Sequence, residues 1–309
     1  MADRVVLITG AGSGIGKELA GRLARRGDHL VLTDVDEAAV AAVAEALRPT
    51  AEAAGGSTRH EVVDVRDPDR VADVVDQTWR DFGRIDVLVN NAGIGLGGSS
   101  EEMTAAHWQR VFDINISGVM HGVVAAYPKM LAAGSGQIVN IASLAGLVPA
   151  PHLAAYSASK HAVVGLSMSL AAEAHDTGVG ITCVCPGFTD TPILDATGPA
   201  DLPTTRFAGR GRQYAAGVPG GLYDVALLAA DIERAIDRRQ VLLVTPASAR
   251  WMWRVARYAP RLGMVVARTA AARTRAALQP LVAGTGDSSA SAVTAAAPEI
   301  VDVQAQVGR

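Results

Sequence analysis

Aromatic side chains are scarce in this sequence, at 4% of 309 residues. The core must therefore be built from Ala, Val, Leu and Ile, within a hydrophobic share of 49% that excludes a wholly disordered chain. Cysteine is nearly absent. The two residues Cys183 and Cys185 cannot make the disulfide framework of a small secreted domain, and flanking Val184 in one strand they read as buried thiols. No stretch reaches about 18 consecutive apolar residues, so no membrane-spanning helix is expected. No apolar leader precedes the strand-like run at Val5–Ile8, and the expected location is cytoplasmic. His107, His121, His152, His161 and His175 show no metal-ligand spacing with cysteines or acids, so no metal site is expected.

Charge is unevenly spread. Residues 1–237 hold 18 Lys and Arg against 28 Asp and Glu, whereas residues 238–286 hold nine Arg and no acid. Within the basic stretch Arg250, Arg254, Arg257, Arg261, Arg268 and Arg275 fall on one helical stripe, and Trp251, Val255, Tyr258, Leu262, Val265 and Val266 cover much of another face. Pro260 is predicted to kink or split this helix. The pattern fits a peripheral membrane contact through 250–275. It fits equally a helix packed on the core or on a second subunit, its arginines paired with the acidic body. A single Arg stripe on an acidic body offers no base-reading motif, so no nucleic-acid partner is expected. Residues 283–309 are rich in Ala, Ser, Gly, Thr and Val and read as a low-complexity tail.

Strand-like runs near 5–9, 29–33, 59–64, 85–90, 136–142, 179–185 and 240–244 alternate with helical patterns near 14–27, 36–54, 67–83, 104–133, 152–177 and 224–238. Such alternation predicts an α/β fold with a parallel sheet covered on both faces. The expected organisation is a catalytic domain over 1–249, a basic amphipathic helical extension over 250–282 and the tail over 283–309. Residues 188–222 break the rhythm with six Gly and four Pro, as expected of an insertion over a site.

The first strand runs into Gly10, Gly12, Ser13, Gly14, Ile15 and Gly16, which open the first helix. A phosphate near a helix start needs backbone N–H donors and no Cβ in the way. No Gly-Lys-Ser/Thr ending follows, so a nucleoside triphosphatase loop is not supported. Asp34 ends the second strand about 20 residues further on, where a carboxylate accepts both ribose hydroxyls of an adenosine and repels a 2′-phosphate. With no Lys or Arg at 35 or 36, the expected cofactor is NAD rather than NADP.

Further motifs follow in order: Asn90-Asn91-Ala92-Gly93, Asn115, Ser143, Tyr156-Ser157-Ala158-Ser159-Lys160, and Pro186-Gly187 with Thr189 and Thr191. Together with the glycine loop, this set resembles the short-chain dehydrogenase/reductase family over roughly residues 4–245. The resemblance implies a Rossmann-type doubly wound parallel sheet of about seven strands. It implies Ser143 as the residue that orients substrate, Tyr156 as acid/base, Lys160 as the ribose-binding residue and Asn115 as holder of a water in a proton relay. It implies further cofactor contacts from Asp64, Val65, Asn91, Ala92, Gly93, Pro186, Gly187, Thr189 and Thr191, and assembly as a homodimer or homotetramer.

The residues themselves support part of this. Tyr156 and Lys160 are four apart and share a helix face. A free tyrosine pKa of about 10 is too high for a base near neutrality, and a nearby ammonium would lower it. The expected activity is NAD-dependent interconversion of an apolar secondary alcohol and its ketone or aldehyde. The rival is an NADPH-dependent ketoacyl-thioester or carbonyl reductase, with Arg206, Arg210 and Arg212 holding a phosphopantetheine or CoA group.

Overall fold

A computed structural model describes residues 3–278, apart from 217 and 219. The tail at 283–309 and the end of the extension lie outside the described residues. Chain order runs β1 (Val5–Thr9), α1 (Gly14–Ala24), β2 (His29–Asp34), α2 (Glu37–Ala53), β3 (Ser57–Val62), α3 (Pro68–Phe82), β4 (Val87–Asn90), α4 (Ala105–Phe112), α5 (Gly118–Ala133) and β5 (Gly136–Ile141). It continues with α6 (Ala154–Glu173), β6 (Val179–Pro186), α7 (Gly211–Ala216), α8 (Val225–Asp237), β7 (Leu242–Thr245), α9 (Ala247–Tyr258) and α10 (Pro260–Leu278).

The seven strands form one parallel sheet in the order β3-β2-β1-β4-β5-β6-β7. Every residue of β1, β4 and β5 is buried, which is why these strands show no alternation of apolar and solvent-facing polar residues. Helices α1, α2 and α8 cover one face through Leu19, Leu23, Val40, Leu228 and Ile232. Helices α3, α5 and α6 cover the other through Val71, Val74, Val123, Met130 and Leu170. This is the Rossmann-type doubly wound sheet. Its strand order reverses between β1 and β4, which opens a crevice at their C-terminal ends.

Local chemistry sets the element ends. Asp36, Asp67 and Asp224 cap α2, α3 and α8 by accepting backbone N–H bonds, each contact worth about 1 kcal/mol. Asp86, the one acid in the run leading to β4, accepts the Val5 N–H at 2.7 Å and sets the start of that strand against β1. The third strand lies two residues earlier than the sequence pattern suggests. It pairs with β2 from His29↔Ser57 to Asp34↔Val62, and its alternating edge exposure weakens the apolar signal.

The long helix predicted over 104–133 is interrupted. A π-helical turn at Asp113–Ser117 separates α4 from α5. Pro260 splits the C-terminal helix as expected: α9 ends at Tyr258 and the proline opens α10, where its missing N–H leaves no bond unmade. Among the described residues no helix is long and apolar enough to cross a membrane.

Candidate active site

The crevice at the sheet's C-terminal edge opens into one cavity of about 740 Å³. Its nucleotide half is built from β1, β2, β3 and β4. Gly10 has φ +66°, and a Cβ there would sit 2.7 Å from the Ala92 Cα; the glycine lets the loop after β1 lie against the loop after β4. At Gly16 a Cβ would stand 2.4 Å from the Gly10 carbonyl oxygen, so α1 starts directly under the loop. Asn91 donates to the Thr9 and Gly10 carbonyls at 2.9 and 2.8 Å and holds these two loops together.

Asp34 accepts the Gly12 N–H at 2.9 Å and the Asp36 N–H at 3.1 Å, and its carboxylate faces the cavity. The exposed Val35 lies beside it, with no cation at 35 or 36. Asp64 is engaged locally: it accepts the Arg66 N–H at 3.0 Å and pairs with the Arg66 guanidinium at 2.5 Å, which holds its carboxyl below the usual range. Asp64, Val65 and Arg66 together line the cavity.

The reacting half is built from β5, β6 and α6. Ser143 follows β5, accepts the Ala145 N–H at 3.1 Å and starts a tight turn at Leu144–Gly146. Ser157 fastens that turn to α6 through the Ala145 carbonyl at 2.7 Å. Tyr156 and Lys160 lie one helical turn apart on α6, with the Lys160 Nζ 5.6 Å from the Tyr156 ring centroid. That Nζ donates to the Ile141 carbonyl at 2.9 Å.

Two pKa directions follow. Burial lowers Lys160 to about 8. Burial also pushes Tyr156 up, opposed by the Ser143 hydroxyl. Without a cofactor, Lys160 makes no contribution against that rise. The ammonium is spent on Ile141, and desolvation dominates at the phenol.

Gly10, Ser13, Gly14, Ile15, Asp34, Asp64, Val65, Asn91, Ala92, Gly93, Ser143, Tyr156, Lys160, Pro186, Gly187, Thr189 and Thr191 all line this one cavity. Gly12, Gly16 and Asn115 stand behind its wall. Asn115 is fully buried in the π turn. Its Oδ1 accepts the Ile94 N–H at 2.9 Å, and its Nδ2 donates to the Ile94 carbonyl at 3.0 Å and to Ser159 at 3.1 Å. The Asn115 amide is thus committed to protein partners.

Other features escaped the sequence. Phe188, Phe207 and Tyr214 make an aromatic wall, with Phe207 edge-on to Tyr214 at 5.2 Å. Three of the chain's nine Phe and Tyr residues fall within 188–222, a concentration that could have signalled it. That segment is tied down: Arg110 pairs with Asp201 at 2.7 Å, Arg206 with Glu102, and Arg212 with Asp190 at 2.6 Å. His107 on α4, whose Nδ1 bonds Thr104, contacts the Pro203 carbonyl through Nε2 at 2.8 Å. Met252, Val255 and Ala256 of α9 and Gly263, Val266 and Ala267 of α10 close the far side of the cavity. Cys183 and Cys185 are buried free thiols 3.8 Å apart on β6. Among the described residues no group of three or more His, Cys, Asp or Glu could hold a metal.

The chain has known relatives. A family model described as short chain dehydrogenase matches residues 4–201. The cis-4-hydroxycyclohexanecarboxylate dehydrogenase of Sinomonas cyclohexanicum is 41% identical over 208 residues, covering 67% of this chain and 81% of the relative. A solved short-chain dehydrogenase/reductase from Burkholderia phymatum in complex with NAD superposes with TM-score 0.75 at 34% identity, over 84% of this chain and 95% of that one. One from Sphingobium yanoikuyae in complex with NADPH gives 0.68 at 31%, over 85% and 95%. The chain belongs to the short-chain dehydrogenase/reductase family and is an oxidoreductase acting on CH–OH groups.

Proposed function

We propose that the protein is an NAD-dependent dehydrogenase that oxidises an apolar secondary alcohol to its ketone. The observation that carries this reading is the convergence of Ser143, Tyr156 and Lys160 on an apolar, aromatic-walled cavity continuous with the glycine loop and Asp34. The 41% identical relative is named for a ring-borne secondary alcohol, and one solved neighbour holds NAD.

The cradle fits a dinucleotide on its own chemistry. Glycines stand where a Cβ would collide, the first turn of α1 points into the cleft, and a carboxylate lies at its adenosine end. The loop at Gly10–Gly16 would hold the pyrophosphate, Asp34 the adenosine ribose, Asp64 and Val65 the adenine. Lys160, Asn91, Ala92 and Gly93 would flank the nicotinamide riboside, with Pro186, Gly187, Thr189 and Thr191 on its other side. NAD, when bound, supplies the hydride acceptor.

The protein's own groups do the rest. Ser143 holds the substrate oxygen. Tyr156 takes the hydroxyl proton as the carbinol C–H bond breaks, a role worth about 10²–10⁴-fold in rate. Lys160 keeps positive charge beneath the reacting oxygen and favours the phenolate once it turns from Ile141. Asn115 is a positioning residue whose amide fixes Ile94 and Ser159 behind the site. Of the three arginines that a carrier-bound thioester would use, Arg206 and Arg212 are committed to carboxylates, whereas Arg210 makes no ion pair among the described residues. Exposed Met120, Val124 and Leu131 on α5 and Met168 on α6 offer an apolar face for pairing with a second copy.

The test is turnover of cyclic secondary alcohols with NAD against NADP, before and after Asp34→Ala. NAD is expected to win in the wild type. Loss of charge-assisted hydrogen bonds to the ribose costs about 1.5–3 kcal/mol, so Asp34→Ala should erase a preference of roughly tenfold or more. NADP preference in the wild type would refute the assignment of Asp34 and favour the reductase reading.

A further inference from the structure

The helices α9 and α10 have two different sides. Their inner sides close the substrate cavity through Met252, Val255, Ala256, Gly263 and Ala267. Their outer sides carry large apolar groups in water: Trp251 is 66% exposed, Tyr258 84%, Leu262 53% and Val265 56%. Arginines flank these groups. At about 100° per residue, Trp251, Arg254 and Tyr258 share the outer face of α9. On α10, Leu262 and Val265 share a face bordered by Arg261 and Arg268. Arg254, Arg257, Arg261 and Arg268 are all exposed. Among the described residues none of them ion-pairs, whereas Arg110, Arg206, Arg212 and Arg234 of the body all do.

We infer that this outer surface docks on an anionic phospholipid bilayer and that the cavity is loaded from the lipid side. Three observations select lipid over the other occupants. No acid occurs in residues 238–286, so the surface is of one sign and matches anionic headgroups. The acidic residues 1–237, with ten more acids than bases, are repelled by the same headgroups, which orients the body away from the membrane. Exposed Trp and Tyr beside exposed arginines is the chemistry of an interfacial helix lying in the plane of a membrane. With no helix able to span, the contact is peripheral.

The position of the surface gives it a role. Trp251 and Val266 are exposed and also line the cavity, so they stand at the rim where bilayer and active site meet. An alcohol dissolved among acyl chains would pass this rim without crossing water. Delivery rests on the alcohol-dehydrogenase reading; docking does not.

Flotation of the full chain with phosphatidylcholine vesicles, with and without phosphatidylglycerol, tests docking. Binding is expected only with phosphatidylglycerol and is expected to weaken in high salt. In Arg254→Gln/Arg257→Gln/Arg261→Gln/Arg268→Gln it should fall about a hundredfold or more, since each arginine near an anionic surface contributes roughly fivefold. These side chains lie outside the catalytic cavity, so turnover of water-soluble cyclohexanol should be unchanged. Turnover of a long-chain secondary alcohol in anionic vesicles should drop at least tenfold.

Equal binding to both vesicle types, or none, overturns the inference. So does a wild-type oligomer that dissociates in the quadruple variant without vesicle binding, which assigns the surface to a second copy. Vesicle binding with no alcohol turnover at all would leave docking standing and refute the enzymatic reading instead. A fold check by circular dichroism separates loss of docking from loss of structure.

Discussion

Lys160→Met should cost the protein its turnover and yet make the cofactor-free chain more stable at neutral pH. Lys160 is 4% exposed, and its pKa falls from 10.5 to about 8 on burial. A drop of that size corresponds to about 3 kcal/mol held against the fold while the amine stays protonated. Methionine fills nearly the same volume without the charge. It also leaves the Ile141 carbonyl without its 2.9 Å donor, which costs about 1–2 kcal/mol. The net gain at pH 7 is about 1–2 kcal/mol, or roughly 2–6 °C in Tm for a domain of this size.

The pH dependence carries the sign. The folded pKa lies below the unfolded one, so the unfolded chain binds more protons between about pH 8 and 10.5. The penalty is complete below pH 8 and disappears as pH rises through that window. The advantage of Lys160→Met should therefore shrink through this window and have vanished or reversed by about pH 10, as most of the penalty is gone and the lost hydrogen bond comes to dominate. Paired thermal melts of wild type and variant at pH 7 and pH 10, without nucleotide, measure the difference. A variant less stable than wild type by the same amount at both pH values would refute the idea that Lys160 is a charge buried at a cost.

Two more substitutions probe the cavity. Phe207→Ala removes the ring that packs edge-on to Tyr214, and should cost about 3 kcal/mol of stability while raising KM for small cyclic alcohols more than it lowers kcat; steady-state kinetics with a chemical-denaturation curve reads both, and an unchanged KM would remove Phe207 from the substrate wall. Gly10→Ala meets the Ala92 backbone at a positive φ, so NAD binding should weaken more than tenfold by calorimetric titration while the far-ultraviolet spectrum is retained, and unchanged affinity would refute the close-approach role.

Where the sequence was legible, the reason is physical. Short, β-branched apolar runs such as Val87–Val89 fit strands buried on both faces, and the glycine loop between strand and helix has few other uses. The edge strand at Ser57–Val62 slipped because half-exposed residues carry little pattern. The π turn around Asn115 was invisible because one extra residue in a helix leaves the apolar spacing nearly intact. Spacing on α6 places Lys160 near the Tyr156 ring but says nothing of the Ile141 carbonyl that accepts from its Nζ, or of the burial around the phenol. The aromatic wall and the inner sides of α9 and α10 depend on segments far apart in the chain meeting over one cavity, and no local spacing encodes that meeting.

The central claim is that this cavity oxidises an alcohol through Tyr156 with NAD bound beside it. The measurement that bears on it most directly is absorbance at 340 nm during NAD-linked oxidation of cyclohexanol by wild type and Tyr156→Phe, with NAD affinity titrated in both. Wild type should reduce NAD. The variant should bind NAD within a few-fold of wild type and lose about 10²–10⁴-fold in kcat, the share supplied by a positioned acid/base group. Undiminished turnover in Tyr156→Phe would contradict the proposed chemistry outright.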